Sequence, residues 1–317
     1  SMMTMSLTTP PTAPPPSRAP RPPAAVPATR RRSLRSSRLP LALLAPAVAL
    51  VALVSVFPIL FALNLSVHET RYTQVGDLIG LQHYLSVLGT AQGWAMIGRS
   101  MVYVVGSLVL ALPLAVGLAH LLDRPARLRR VFRVLILMPW VISQTVAALL
   151  WRWLLNPDYG PLGLGSLGGQ RVDVLADPVL AMVALVLVNV WLSYPLATIL
   201  VLAALQGVPA ELHEAAEVDG ATAFRRFRSV TLPMIAPTVF VVAIMLTLLY
   251  FNMVTLVLTF TGGGPFSATQ LVSLEAYQQS FSYFNLGLGA AYSVILFVFN
   301  VVFGLAYIRM LRGDRDV

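Results

Sequence analysis

Six apolar runs govern what this 317-residue chain can fold into. They cover roughly 41–63, 100–122, 131–154, 178–205, 234–260 and 290–310. As helices, each can cross about 30 Å of hydrocarbon. Lipid offers no partner to an unpaired backbone N–H or C=O, so all six are expected to be helical. Composition agrees: 57% of residues are hydrophobic and 11% charged, where a soluble domain averages about 25% charged. The expected fold is an all-α polytopic membrane protein with six transmembrane helices. Prolines inside the runs (Pro46, Pro58, Pro113, Pro139, Pro195, Pro237) predict kinks or local unwinding.

Arginine placement sets the orientation. All 22 basic residues are arginine. Seven precede the first run, five lie between the second and third, three between the fourth and fifth, and three at the C-terminal end. The alternate segments hold only Arg71, Arg99, Arg152 and Arg171. Cytoplasmic flanks collect positive charge, so both termini and the 209–233 loop are expected on the cytoplasmic side of the plasma membrane. Residues 1–39 are rich in Pro, Ala, Ser, Thr and Arg without apolar periodicity, and read as a disordered tail. A signal peptide is disfavoured, because the first apolar run is too long and lacks a small-residue cleavage site. The basic balance is accounted for by these flanks, not by nucleic acid. The sequence has no cysteine, which excludes disulfides, and no lysine. A Walker A phosphate loop needs its lysine, so an ATP-driven function would place the motor in another polypeptide.

The most polar stretch between two apolar ones is Pro209 to Pro233, PAELHEAAEVDGATAFRRFRSVTLP. Pro209 suits a first helical turn, and acidic residues there complement the helix dipole. Glu211, Glu214 and Glu217 share roughly one face, with Leu212, Ala215 and Ala216 on the other. Gly220 can end one helix and let a second begin, and Pro233 is expected to prevent simple continuation. The physical reading is two short helices with a bend, outside the membrane, shaped to be gripped by another protein.

The order Glu214-Ala215-Ala216, Asp219-Gly220-Ala221, Leu232-Pro233 resembles the EAA signature of ABC-importer permeases. Val230 stands where that family usually has Ile. Segments 133–140, 189–209 and 258–281 resemble permease spans, and the Gly-Gly-Pro run with the following Thr, Tyr and Phe is similar to carbohydrate importers of the MalF/UgpA/SugA type. The resemblance covers about residue 41 to the C-terminus. It implies a type I permease domain over 40–312, with 209–233 as the coupling loop and 313–317 as a cytoplasmic tail. It also implies a second MalG-like permease, a pair of ATPase subunits that carry ATP and Mg, and an extracytoplasmic sugar-binding protein. No cofactor is implied in this chain. Glu214, Ala215, Ala216, Asp219 and Gly220 are the coupling residues on this resemblance.

Sugars are held by hydrogen bonds to hydroxyls and by aromatic stacking. Asn189, Ser193 and Tyr194 precede Pro195, and Tyr250-Phe251-Asn252, inside the fifth run, resembles a Phe/Asn-rich cluster of the maltose permease. With Leu192, matched through the maltose permease pattern, these are the candidate substrate-binding residues; Ser143 and Gln144 are weaker. This chain has a single Asn where the maltose pattern has several, which argues against maltose itself. The three outer segments, 64–99, 155–177 and 261–289, are candidate contacts for a delivering protein or plain solvent loops. No acidic residue or histidine lies deep in a span, His120 being at an inner end, so a proton- or sodium-coupled carrier is disfavoured. No H-E-x-x-H or G-x-S-x-G motif appears, so a membrane-embedded enzyme is disfavoured too. The rival cargo is a glycerol phosphate or glycerophosphodiester. It would want cavity arginine, and Arg152 alone lies near a span.

Overall fold

The computed structural model describes residues 38–72, 74–123, 129–162 and 173–313. Most of the expected N-terminal tail, Arg124, Arg127, the glycine-rich 163–172 with Arg171, and 314–317 lie outside the described residues. The chain divides into two compact units, 1–53 and 54–317. The boundary falls inside helix α1, Arg38–Ser66. In the first unit, the side chains described from Leu44 to Leu53 are all exposed, as suits a helix that is apolar all round and faces lipid. All elements after α1 belong to the second unit.

After α1 come a hairpin (β1 His68–Arg71, β2 Gln74–Leu78) and α2, Gln82–Leu88. The chain continues with α3 Ala91–Asp123, α4 Arg129–Val141, α5 Gln144–Leu154 and α6 Pro178–Leu205. Next are α7 Ala210–Val218, α8 Ala223–Arg226, α9 Leu232–Phe251, α10 Thr255–Phe260, α11 Val272–Tyr277 and α12 Leu286–Gly313. Among the described residues five helices are long and apolar enough to span a membrane. The α4–α5 pair makes a sixth crossing if taken as one span.

In that sixth crossing the kink expected at Pro139 is a full break in the 131–154 run. α4 and α5 meet at 98°. Pro139 lacks the N–H that would bond one turn back, and Ser143 is extended (φ −58°, ψ 140°), so the helix restarts at Gln144. The fifth run is also shorter than its hydropathy. α9 stops at Phe251, and Asn252 folds its Nδ2 back to donate to the Leu248 carbonyl at 2.7 Å. Residues 255–260 form the separate α10.

The outer segments are more ordered than plain loops. Thr70 Oγ1 of the hairpin accepts from the Gly287 N–H at 2.7 Å, tying β1 to the first turn of α12. Ser100 Oγ accepts from the Val272 N–H at 3.0 Å, fixing the start of α11 on α3.

α3 and α6 form the central pair. Buried residues of α3 fall at 100, 104, 107, 111, 115, 119 and 122, the three-and-four spacing of one helix face. Most are small: Ser100, Ser107, Ala111, Ala115 and Ala119. With no hydrophobic drive between helices in lipid, small residues let backbones approach and dispersion hold them. α6 starts cleanly because Asp177 accepts from the Val179 and Leu180 N–H groups at 2.9 Å, with Pro178 in the first turn. α9 packs on α6 and α12. There Phe251 meets Phe299 and Phe303, with ring centroids 6.0 and 5.3 Å apart.

Candidate functional site

The first candidate is the elbow formed by α7 and α8. α7 has no buried residue, and Val218 is 88% exposed. Its end is a Schellman turn. Gly220 takes φ +73°, its N–H bonds the Glu217 carbonyl at 3.0 Å, and the Ala221 N–H bonds the Ala216 carbonyl at 2.9 Å. Thr222 then caps α8, its Oγ1 accepting from the Arg225 N–H at 3.4 Å. An ion pair, Glu217 to Arg226 at 2.7 Å, closes the bend. Glu214, Ala215, Asp219 and Gly220 are exposed and Ala216 is half-buried.

The expectation that Pro233 stops the second elbow helix is corrected. α8 runs through a π-helical turn, Phe227–Thr231, straight into α9. The wide turn is closed by the Leu232 N–H bonding the Phe227 carbonyl. Pro233 therefore sits in the first turn of α9, where its missing N–H costs little. The elbow and the fifth span are one helical element of 29 residues, Ala223–Phe251.

The second candidate is a string of cavities at the far end of α9. The first, about 360 Å³, is lined by Trp140, Ser143, Gln144, Leu192, Ser193 and Tyr250 among others. It shares Gln144, Leu249 and Met253 with a second, about 600 Å³. That one shares Asn252 and Val254 with a third, about 330 Å³, where Ser273, Tyr277, Ser280, Ser293 and Asn300 supply the polar groups. Among the described residues, no arginine, aspartate or glutamate lines any of the three.

A hydrogen-bonded joint stands behind the first cavity. The Ser193 Oγ and Tyr250 OH are 2.6 Å apart, joining α6 to α9. Ser193 Oγ also lies 2.7 Å from the Asn189 carbonyl. Asn189 is fully buried, and its Nδ2 donates to Ser107 Oγ at 3.0 Å. Among the described residues its Oδ1 has no hydrogen-bond partner, nor does the OH of Tyr103, whose ring meets Tyr250 edge-on at 6.4 Å.

Of the expected substrate residues, Leu192, Ser193, Tyr250 and Asn252 line these cavities, with Ser143 and Gln144. Asn189 and Tyr194 do not. Asn189 lies behind the wall at Ser193, and Tyr194 is half-buried with its carbonyl accepting from Thr198 at 2.8 Å. Sequence reasoning missed Trp140, Ser273, Tyr277, Ser280, Ser293 and Asn300. A signal was present: 273, 277 and 280, and again 293 and 300, repeat at helical spacing and so share a face.

Apolar spans, an exposed elbow continuous with one of them, and largely apolar cavities carrying a few polar groups at that span's other end define the membrane component of a transporter. Residues 107–310 match the family described as binding-protein-dependent transport system inner membrane component, and the chain belongs to it. A trehalose/maltose transport system permease protein, MalF, of Thermococcus litoralis is 32% identical over 294 residues, covering 91% of this chain and 98% of that protein. An sn-glycerol-3-phosphate transport system permease protein, UgpA, of Agrobacterium fabrum is 31% identical over 82% of this chain and 90% of its own length. A chain of a bacterial alginate ABC transporter, solved with an alginate pentasaccharide-bound periplasmic protein, has a TM-score of 0.76 at 22% identity, covering 87% and 94% of the two chains. That last likeness is one of fold, the type I permease fold.

Proposed function

We propose that this chain is one of two permease subunits of an ABC importer for a neutral di- or oligosaccharide. It would pair with a MalG-like second permease, two ATPase subunits and an extracytoplasmic sugar-binding protein. ATP and Mg would sit on the ATPases, since this chain has no lysine for a Walker A loop. Both termini and the elbow would face the cytoplasm, following the arginine bias.

The observation that carries the cargo reading is the lining of the cavities. They offer hydroxyls, amides and aromatic rings, and no arginine. Arg152, the residue an anionic cargo would use, is exposed on α5 and lines none of them. Ser193, Tyr250 and Asn252 would hydrogen-bond sugar hydroxyls, and Leu192 and Trp140 would bear on C–H faces. Asn189 would hold Ser193 from behind. The trehalose/maltose relative supports this reading; the glycerol-phosphate relative marks the alternative.

The 29-residue element explains coupling. At 1.5 Å rise per residue it is about 43 Å long, with the elbow at one end and Tyr250 at the other. Glu214 would pair inside the ATPase cleft, Ala215 and Ala216 would allow close packing, and Asp219 and Gly220 would make the bend. Closure of the ATPases would shift the elbow, and the continuous helix would carry that shift to the Ser193–Tyr250 joint, opening or closing the cavity. The test is uptake by the complete complex in proteoliposomes. The expected result is ATP- and binding-protein-dependent uptake of labelled trehalose or another neutral saccharide. Asn252→Ala should raise the apparent KM about tenfold, the loss of roughly one good hydrogen bond. Preferential uptake of glycerol 3-phosphate, or uptake without ATP, would refute the reading.

A further inference from the structure

A cavity of about 700 Å³ opens between α3, the π-helical turn and the start of α9, well away from the string of cavities already described. Its walls include Pro113, Val116 and Gly117 from α3, and Phe224, Phe227 and Leu232 from the elbow side. Its volume is that of a ligand site, roughly 300–1,000 Å³. A Cβ added to Gly117 would meet nothing within 4 Å, so the floor is open space. His120 also borders the cavity, with its ring 5.2 Å from that of Phe227.

Depth identifies the occupant. Along α3 the walls run from Pro113 to His120, about 10 Å of helix axis, and α3 ends at Asp123, about 5 Å further on. The α3 wall therefore runs from the elbow's side toward the interior of the span, where an acyl chain of that leaflet would lie, while Ala223 and Phe224 border the elbow end. At its elbow end stand two exposed arginines, Arg225 and Arg228. Arg228 is one turn beyond Phe224 and shares its side of the helix. Neither has an ion pair among the described residues, whereas the intervening Arg226 is held by Glu217. An apolar slot with two exposed arginines beside its elbow-side walls Phe224 and Phe227, neither ion-paired among the described residues, matches one chemistry. We propose that it is a binding site for an anionic phospholipid, its chain between Gly117 and Leu232 and its phosphate on Arg225 and Arg228. A span of a second permease would need no cations there, and a soluble ATPase would not reach 10 Å below the surface.

This site rests on membrane placement and not on the identity of the cargo. The test is native mass spectrometry of the complete complex, released from nanodiscs of phosphatidylglycerol or phosphatidylcholine with the same acyl chains. The wild type should retain phosphatidylglycerol in roughly thirtyfold preference, the order expected of two juxtamembrane cations. Arg225→Ala/Arg228→Ala, a surface change, should abolish the preference. Gly117→Phe, which enters open space, should remove the retained lipid. A photoreactive benzoylphenylalanine in place of Phe224 should attach to phosphatidylglycerol. Equal retention of the two lipids, retention unchanged by either variant, or attachment of the probe to a second permease would each overturn the proposal.

Discussion

Gly220 offers a test of the elbow in which sterics are already removed. Its φ is +73° and a Cβ there would touch nothing within 4 Å, so a substitution reports backbone conformation alone. An L residue in this left-handed region costs about 1–2 kcal/mol, with Asn tolerated best and β-branched residues worst. A loss of 1–2 kcal/mol reduces the population of the bent turn by a factor of about 5–30. The two hydrogen bonds of the Schellman turn, from Gly220 and Ala221, go with it. The expected order of coupling is Gly, then Asn, then Ala, then Val. The assay is saccharide taken up per ATP hydrolysed by the reconstituted complex, with membrane insertion checked by protease protection. Gly220→Val should insert normally and hydrolyse ATP with little uptake, and Gly220→Asn should keep most of the coupling. Normal uptake by the Val variant, or an Asn variant as poor as Val, would show that the left-handed turn is not what matters.

Two further changes probe the packing. Tyr250→Phe removes the α6–α9 joint but leaves Ser193 Oγ its backbone acceptor at Asn189; thermal unfolding should show a loss of only about 0.5–1.5 kcal/mol, while substrate-stimulated ATP hydrolysis changes clearly. An unaltered stimulation would remove the joint from the mechanism. Gly289→Ala would place a Cβ against Ser280 Oγ and 3.1 Å from the Ala276 carbonyl; overpacking of this kind costs about 1–3 kcal/mol, read as a lowered unfolding midpoint of the complex. An unchanged midpoint would mean that α11 and α12 have room to separate.

Much of the bundle was legible because lipid leaves so few choices. The runs at 100–122, 178–205 and 290–310 fall inside α3, α6 and α12, and the bend at Gly220 was readable from the residue type. What escaped was geometry that hydropathy does not encode. A kink was readable from Pro139, but its size, 98°, depends on ψ at Ser143, which hydropathy does not carry. Pro233 was read as a stop because it lacks an N–H, but behind a π-helical turn that N–H is not needed. At the candidate site, Tyr250 and Asn252 stood out through the resemblance to a Phe/Asn-rich cluster of the maltose permease. Ser273, Ser280 and Asn300 did not, because only the packing of α11 and α12 beside the end of α9 brings them to one cavity. Asn189 drew attention as an amide in a span, and its amide bonds Ser107 within the core.

The central claim is that separate ATPase subunits grip the exposed elbow. The chain has no cysteine, so a single Ala215→Cys gives an unambiguous handle. In the complete complex, a short thiol crosslinker should join that cysteine to the ATPase subunit with a yield that changes on ATP binding, and a membrane-impermeant thiol reagent added to intact cells should not reach it. Labelling from outside the cell, or no ATPase adduct from an intact complex, would contradict the claim.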